Sequence, residues 1–389
     1  MTSVGHVQLE GHCESRFEPL RRLAEHNLSV GTEIGLSLYI DIGGEPVVDL
    51  WGGWRDRDRR TPWTGDTIVN VWSTSKAVTS MAALMLVDRG QLDPDAPVAR
   101  YWPEFAANGK EDIKVRNILG HTSGVSGWDL PFAPEEMYDL TASTAKLAAQ
   151  RPWWEPGTQA GYHANNFGHL IGELVRRVTG KTLGQFVAED LASPLDADFH
   201  IGLADEHLGR VATIYGPRQT TLPSPPGDSG FSQWPIQKRT LAGCFVIPDR
   251  GNDADFRRAE IGATNGHGNA RSIAKVMSAI SLGGMSGGVR LLSPPTIDRI
   301  FEVQSDGTDL VLALPIRWGM GLALESAGVP FVRGAKTCFW GGWGGSMIVM
   351  DTERQVTFSY VMNQMQPGTI GSAVAAQYCE AVADVLAGI

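Results

Sequence analysis

The sequence predicts an α+β fold in which an antiparallel sheet is flanked by helices and carries an inserted helical, loop-rich region. Strand-like apolar segments occur near both ends of the 389-residue chain, and a nearly uncharged helix follows the first of them. The middle of the chain is rich in proline, glycine and tryptophan. We therefore expect residues 1–90 and 265–389 to form one α/β sheet domain, and residues 91–264 to form a helical lid or insert domain.

The N-terminal part is predicted to begin the sheet. Residues 14–27 carry apolar side chains at helical spacing, which predicts an amphipathic helix. The segment IGLSLYIDIGGEPVVDLWGGW predicts two strands joined at Gly43–Gly44, and IVNVW is a third apolar segment at the start of the same sheet. A helix then starts at Ser73, and because it has no charged residue between Ala77 and Val87, we expect it to be buried.

The rest of the chain supplies helices first and strands later. Helical patterns occur near residues 135–150, 166–180 and 183–192, followed by the helical segment GNARSIAKVMSAIS. Three segments then alternate or run apolar like strands, namely RWGMGLALE, CFWGGWGGSMIVMD and VTFSYVMNQ. The segment AVAAQYCEAVADVLAG predicts a closing helix. Strands from both ends of the chain would thus share one sheet.

Composition and charge indicate which partners and which cellular compartment to expect. The net charge of −10 and the lack of a long Lys/Arg run argue against nucleic acid as a partner. The four cysteines contain no C-x-x-C pair, which argues against a zinc site and for a reducing compartment. A basic N-terminal segment followed by an apolar one is absent, as is any uncharged apolar run of about 18 residues. We therefore predict a cytoplasmic protein without membrane association, and the sequence leaves its oligomeric state open.

The S-x-x-K pattern is the first candidate for chemistry. Residues three apart on a helix face the same way, so a lysine amine can lie beside a serine hydroxyl and, when neutral, accept its proton. The pattern alone is weak evidence, because it occurs three times, as Ser73/Lys76, Ser143/Lys146 and Ser272/Lys275.

Sequence context separates the three pairs. Ser272 and Lys275 belong to a polar stripe opposite an apolar one, which predicts a solvated helix face. Ser143 lies in a short polar helix start, where capping is the better interpretation. Ser73 and Lys76 begin the uncharged helix, where burial of an ammonium group is costly and favours a functional role. An exposed lysine at the first turn is the alternative.

Five motifs in order give the sequence a resemblance to a known family. They are STSK (residues 73–76), LGHTSGVSGW (119–128), EPGTQAGYHANNFGHLIGELV (155–175), GHGNARSIA (266–274) and FWGGWGGS (339–346). Together they resemble the class C β-lactamase-like serine hydrolases, and most closely the β-lactamase-type carboxylesterases called family VIII esterases. The resemblance runs from about residue 35 to the C-terminus and implies a β-lactamase/penicillin-binding-protein-like fold.

The resemblance also implies roles for individual residues. Ser73 would be the acylated nucleophile, Lys76 its base partner, and Tyr162, after the Pro-Gly-Thr turn, would share proton transfer. Trp340-Gly341-Gly342 matches the third family motif, and the N–H of Trp343 would form the oxyanion hole with that of Ser73. The implied chemistry needs neither a cofactor nor a metal.

Two departures favour an ester over a β-lactam as substrate. The asparagine that the family places two residues after the tyrosine is Ala164 here, although Asn165 or Asn166 is close, and the lysine of the third motif is Trp340. We therefore expect a serine carboxylesterase that hydrolyses small-molecule esters with short-chain or aryl groups. The alternatives are an amidase or D-aminopeptidase, an acyltransferase, a weak β-lactamase, or a penicillin-binding relative without turnover.

Further residues are candidates for the pocket or are set aside. Substrate contacts are expected from Trp340, Gly341, Gly342, Trp343, His121 and Trp128, because an aromatic-lined pocket suits an apolar acyl or aryl group. Trp72, Trp153, Trp154, Trp234 and Trp318 lie in the same segments. His121 is interpreted mainly as organising a loop beside the site, although His121 or His267 could serve a Ser-His-Asp triad. Ser286, in a G-x-S-x-G match after a helix, is expected not to be a nucleophile.

Overall fold

The described chain contains thirteen strands and eleven α-helices. The computed structural model describes residues 9–218, 235–244 and 246–388, so Trp234 lies outside the described residues. The strands are β1 (Glu10–Cys13), β2 (Gly35–Ile42), β3 (Glu45–Gly53), β4 (Val69–Asn70), β5 (His267–Gly268), β6 (Met285–Ser286), β7 (Val289–Arg290), β8 (Ser305–Thr308), β9 (Pro315–Trp318), β10 (Ala323–Leu324), β11 (Thr337–Gly341), β12 (Met347–Asp351) and β13 (Val356–Met362). The helices are α1 (Glu18–Ser29), α2 (Ser75–Asp88), α3 (Val115–Leu119), α4 (Leu140–Ala149), α5 (Phe167–Thr179), α6 (Leu183–Phe186), α7 (Pro235–Ala242), α8 (Ala254–Arg258), α9 (Ala270–Ser281), α10 (Pro294–Ile300) and α11 (Ala373–Ala387).

A nine-stranded antiparallel sheet joins the two ends of the chain. Its strand order is β1-β3-β2-β13-β12-β11-β10-β9-β8, so β13 connects the N-terminal strands to the C-terminal ones. Helices cover both faces at the centre. Thr357 hydrogen-bonds Ser281 of α9 on one face, and Tyr360 packs against Tyr378 of α11 on the other. Because both faces are covered, β13 is buried along its whole length, and its polar residues Thr357 and Ser359 are buried with it.

This architecture confirms the α+β, β-lactamase/penicillin-binding-protein-like fold expected from the sequence. The hairpin β2–β3 turns at Gly43–Gly44 as predicted. Helix α2 is buried from Ser75 to Leu86, also as predicted, and packs mainly against α5 and α9. None of the described helices has the length and apolar character needed to cross a bilayer.

Two expectations about elements are wrong. The segment IVNVW forms only the two-residue strand β4, which pairs with β5 (Val69 with Gly268) in a separate small sheet. Residues 54–68 carry the chain away from the main sheet, and β4 therefore places the start of α2 beside the residues that precede α9. Helix α9 has no solvated serine face, because Ser272, Ser278 and Ser281 are buried and their hydroxyls are hydrogen-bonded within the protein.

Candidate active site

A strained turn presents Ser73 immediately before α2. Trp72 has a positive φ of 48°, which a bulky residue rarely adopts, and its N–H donates to Asn70 Oδ1 at 2.8 Å. Ser73 follows with 8 % of its surface exposed, and α2 begins two residues later. The structure thus places Ser73 at the positive end of a buried helix.

Lys76 lies beneath Ser73 in a fully buried position. Its Nζ is 3.2 Å from Ser73 Oγ, and it donates to the backbone carbonyls of Ala164 at 2.7 Å and Ala263 at 2.8 Å. Burial lowers the pKa of Lys76 well below its usual value. A neutral amine has two N–H groups, and the two carbonyls accept both. Its lone pair is then left for the hydroxyl proton of Ser73.

The ring of Tyr162 lies beside the lysine amine. Lys76 Nζ is 4.6 Å from the centre of the Tyr162 ring. The buried hydroxyl has no hydrogen-bond partner of good geometry among the described residues. Burial raises the pKa of Tyr162, and the Ser73 hydroxyl and the Trp340 indole oppose this shift only in part. Tyr162 therefore stays protonated at neutral pH.

Aromatic rings surround Tyr162. Trp340 and Trp318 lie with ring centroids 5.1 and 6.0 Å from that of Tyr162, and the Trp318 ring is nearly parallel to it. His121 is 5.2 Å away on the edge. The ring of Trp343 lies edge-on to that of Trp72, with a centroid distance of 5.3 Å, and Trp72 directly precedes Ser73 in the sequence. The structure thus brings Trp340, Trp343 and His121 to the group formed by Ser73, Lys76 and Tyr162.

Two backbone N–H groups are free in the segments expected to hold an oxyanion. Among the described residues, neither the N–H of Ser73 nor that of Trp343 donates to a backbone carbonyl with good geometry, whereas those of their neighbours Thr74 and Gly344 do; Trp343 also forms an isolated parallel β-bridge with Gly371. Trp343 follows β11 directly after Gly341 and Gly342. Such unpaired donors are what a developing negative charge requires.

His121 belongs to the group of rings around Tyr162 and does not form a Ser-His-Asp triad. Its Nδ1 accepts the backbone N–H of His163 at 3.1 Å, and its ring lies 4.1 Å from Trp318. Burial lowers its pKa well below the usual value, so the ring is neutral. The structure supports the loop-organising interpretation of His121. His267 bonds the backbone oxygen of Asn265 through Nδ1 and faces no carboxylate there.

Trp128 does not join this group, contrary to the expectation that it contacts substrate. Its ring is buried, stacks on Phe132 at 4.3 Å and meets His169 edge-on. Its indole N–H donates to the carbonyl of Ser143 at 2.9 Å. The reason is that contacts with Ser143 of α4, His169 of α5 and Phe132 hold Trp128 within the middle region.

The competing serines have structural partners. Ser143 Oγ donates to Asp139 O at 2.7 Å, while Asp139 caps α4 in its place. Lys146 pairs with Glu136 at the surface. Ser286 lies in the hairpin β6–β7, not between a strand and a helix, and donates to the carbonyl of Lys275.

Three contributors to the site were not foreseen. The carbonyls of Ala164 and Ala263 bind Lys76, whereas Asn165 and Asn166 turn away and donate to the carbonyls of Cys244 and Val125. Backbone carbonyls leave no signal in residue types, so the departure at Ala164 could not reveal this substitute.

The third unforeseen contributor is the buried carboxylate of Asp309. Its Oδ1 accepts the backbone N–H groups of Tyr162, Val311 and Leu312 at 2.8–3.0 Å, and its Oδ2 accepts the indole N–H of Trp318 at 3.0 Å. Burial raises the pKa of Asp309, and the backbone N–H groups and the Trp318 indole act against this. A polar loop in the sequence gives no hint of this role.

Within the described ranges, no cluster of three or more His, Cys, Asp or Glu side chains could hold a metal ion.

The fold, with a serine directly before a buried helix and in contact with a lysine in the first turn of that helix, is that of the β-lactamase-type serine hydrolases. The chain belongs to the beta-lactamase family, whose profile matches residues 20–381.

Individual relatives carry esterase and penicillin-binding names. The chain is 34 % identical over 342 residues to the esterase/beta-lactamase LipL of Mycobacterium tuberculosis, covering 85 % of this chain and 76 % of that protein. Its structure matches that of a family VIII carboxylesterase with 37 % identity and a TM-score of 0.89, over 97 % of this chain and 99 % of the other. A penicillin-binding protein homologue from Caulobacter crescentus matches with 35 % identity and a TM-score of 0.88, over the same shares. These similarities confirm the family resemblance and identify the protein as a serine hydrolase related to esterases.

Proposed function

We propose that the protein is a carboxylesterase that hydrolyses short-chain or aryl esters through an acyl-enzyme on Ser73. The observation that carries the proposal is the contact of 3.2 Å between Lys76 Nζ and Ser73 Oγ, with both carbonyl acceptors of the amine already in place. No other S-x-x-K pair has a buried lysine beside its serine, as Lys146 and Lys275 bind Glu136 and Asp196 instead.

Acylation begins when Lys76 takes the proton of Ser73 and Oγ attacks the ester carbonyl carbon. The carbonyl oxygen becomes an oxyanion, which the N–H groups of Ser73 and Trp343 stabilise. As the C–O bond to the alcohol breaks, Tyr162 donates its proton to the leaving alkoxide and regains one from the Lys76 ammonium. The products of this step are the free alcohol and an ester on Ser73.

Water completes the reaction. Neutral Lys76 takes a proton from the incoming water, whose oxygen attacks the acyl carbon. As the bond from the acyl carbon to Ser73 Oγ breaks, the Lys76 ammonium returns that proton to Oγ and the carboxylic acid is released. The steps balance without a cofactor, and both titrating side chains return to their neutral forms. A buried lysine with a lowered pKa and a buried tyrosine with a raised one suit these two roles.

An ester is favoured over a β-lactam by what surrounds Ser73. Trp340 stands where lactamases carry a lysine for the substrate carboxylate, and Ala164 offers only its carbonyl, which Lys76 occupies. The rings of Trp340, Trp318 and Trp343 favour an uncharged, apolar group. Amidase, D-aminopeptidase, acyltransferase and weak β-lactamase activities, or penicillin binding without turnover, are the alternatives.

The four cysteines are unpaired, which supports a reducing, cytoplasmic compartment.

Steady-state turnover tests the proposal. We expect hydrolysis of p-nitrophenyl acetate and butyrate to exceed that of a p-nitroanilide and of nitrocefin. S73A should lower kcat/KM by about 10⁴-fold or more. S143A and K146A are matched controls, because they remove the second S-x-x-K pair and should retain activity. Nitrocefin turnover above that of the esters, or an active S73A variant, would refute the proposal.

A further inference from the structure

Two buried hydroxyl groups, in series, link the segment that carries the Ser73 N–H to the segment that carries the Trp343 N–H. Ser346 Oγ donates to the carbonyl of Val71 at 2.8 Å and lies 2.9 Å from Thr74 Oγ1. A hydroxyl has one proton, so Ser346, having donated to Val71, accepts the proton of Thr74. The order is therefore Thr74 hydroxyl to Ser346 hydroxyl to Val71 carbonyl, and all three residues are buried.

These hydrogen bonds join the Ser73 turn to the loop that carries Trp343. Val71 and Thr74 lie on either side of the turn that carries Ser73, and Ser346 closes the loop that carries Trp343. Within that loop, the N–H of Gly342 donates to the carbonyl of Ser346 at 2.7 Å. Ser346 therefore holds its own loop through its backbone and the Ser73 turn through its side chain.

The two segments are in close contact at the same point. A Cβ atom on Gly342 would lie 2.2 Å from Ser346 Oγ and 2.4 Å from the Val71 carbonyl oxygen, so only glycine fits there. With no side chain between the segments, the Ser346 hydroxyl contacts both of them directly. A shift at this contact changes the separation between the N–H of Ser73 and that of Trp343.

We propose that Ser346 is a positioning residue that fixes the separation of the Ser73 and Trp343 N–H groups, with Thr74 orienting its hydroxyl. This inference rests on the proposed function, which uses those two groups as the oxyanion hole. Donors placed for the tetrahedral intermediate act on the transition state more than on bound substrate. Loss of the hydroxyl should therefore lower kcat and leave KM nearly unchanged.

The test compares S346A with S281A. Ser281 is a matched control, since its buried hydroxyl also pairs with a threonine, Thr357 at 2.7 Å, and donates to a carbonyl, but lies on α9 against β13. With p-nitrophenyl butyrate, S346A should lower kcat by roughly 10- to 100-fold with KM within about two-fold, since small misplacements of catalytic groups cost up to about 10²-fold. The inhibition constant of an alkylboronic acid, which forms a tetrahedral adduct on serine, should rise by a similar factor. S281A should change neither value.

Further variants keep the test decisive. T74V should give a smaller loss than S346A, because the bond from Ser346 to Val71 remains, and T74S should restore wild-type kcat. Equal kcat and equal boronic-acid inhibition constants in S346A and S281A would overturn the inference. If S346A does not fold, T74V takes its place, and a wild-type kcat in T74V would overturn the inference as well. Fluorophosphonate labelling of the wild type separates the two proposals: absence of a Ser73 adduct refutes the proposed function and this inference with it.

Discussion

At the scale of single residues, burial decides which groups can move a proton. The same desolvation lowers the pKa of Lys76 and raises that of Tyr162, because in each case it disfavours the charged form. Lys76 therefore loses its proton more readily than a free lysine, and Tyr162 keeps its proton at neutral pH. In the proposed mechanism these two shifts suit Lys76 to the role of base and Tyr162 to that of acid.

The pH dependence of activity follows from these shifts. A neutral Lys76 is needed for attack, so kcat/KM should rise with pH and level off well below the usual lysine pKa of about 10.4. Tyr162 should cause no fall of the rate below about pH 10, because its pKa is raised. Measurement of kcat/KM for p-nitrophenyl butyrate between pH 5 and 9.5 checks both expectations. A rate still rising at the upper end would contradict the role of Lys76.

Asp309 should matter for stability through the N–H groups it satisfies. D309A would leave four N–H donors without their acceptor, three of them buried, and we expect a loss of about 3 kcal/mol or more in the free energy of unfolding. D309N keeps an oxygen for the three backbone donors and should cost less. Urea unfolding of the two variants provides the measurement. Equal losses would show that the acceptor oxygens are not what Asp309 contributes.

At the scale of elements, a buried carboxyl joins the chain ahead of β2 to β13 and α11. Glu33 Oε1 accepts the hydroxyl of Tyr360 at 2.5 Å and Oε2 accepts that of Tyr378, which also receives an amide proton of Asn27. Burial raises the pKa of Glu33 to about 7, and the two tyrosine hydroxyls offset this only in part. The cluster fastens the first and last helices to the central strand.

This cluster predicts a pH-dependent stability difference. A carboxyl whose pKa is raised on folding keeps its proton in the native state after the unfolded chain has lost it, so its contribution falls as pH rises from about 4.5 to about 7. The E33Q variant has no such loss, and its free energy of unfolding should gain about 3 kcal/mol on that of the wild type between pH 4 and pH 8. Urea unfolding at the two pH values measures the difference. A constant difference would contradict the raised pKa.

Some of the helices, strands and contacts could be predicted from the sequence, and others could not. The β2–β3 hairpin, buried α2 and the Ser73–Lys76 pair were predictable, because turn residues, an uncharged helix and a three-residue spacing are local signals. The pairing of β4 with β5 and the binding of Lys76 by carbonyls from residues 164 and 263 were not, because they depend on chain segments far apart in sequence. The buried serines of α9 were misjudged because polar side chains can be satisfied inside a protein.

At the scale of the whole molecule, the site lies between regions that the sequence separates. Lys76 belongs to the proposed sheet domain (1–90 and 265–389), while its two carbonyl partners, Ala164 and Ala263, belong to the proposed insert (91–264). Helix α2 also packs against α5 of that insert. The proposed catalytic group is thus built from residues of both parts.

We accordingly expect one cooperative unfolding transition. Far-ultraviolet circular dichroism and tryptophan fluorescence should give the same urea midpoint, because loss of either region removes the partners of Lys76 and exposes α2. The isolated segment 91–264 should not fold, since α5 would lose its contact with α2. Two separate midpoints, or a folded isolated segment, would contradict this view of the molecule.

Covalent labelling shows whether Ser73 is the nucleophile, on which the proposed function depends. The wild-type protein is exposed briefly to a fluorophosphonate, and its intact mass and peptide map are compared with residual turnover of p-nitrophenyl acetate. We expect a single adduct on Ser73, formed in step with the loss of ester hydrolysis. An adduct on Ser286 or another serine, or continued hydrolysis without any adduct, would contradict it.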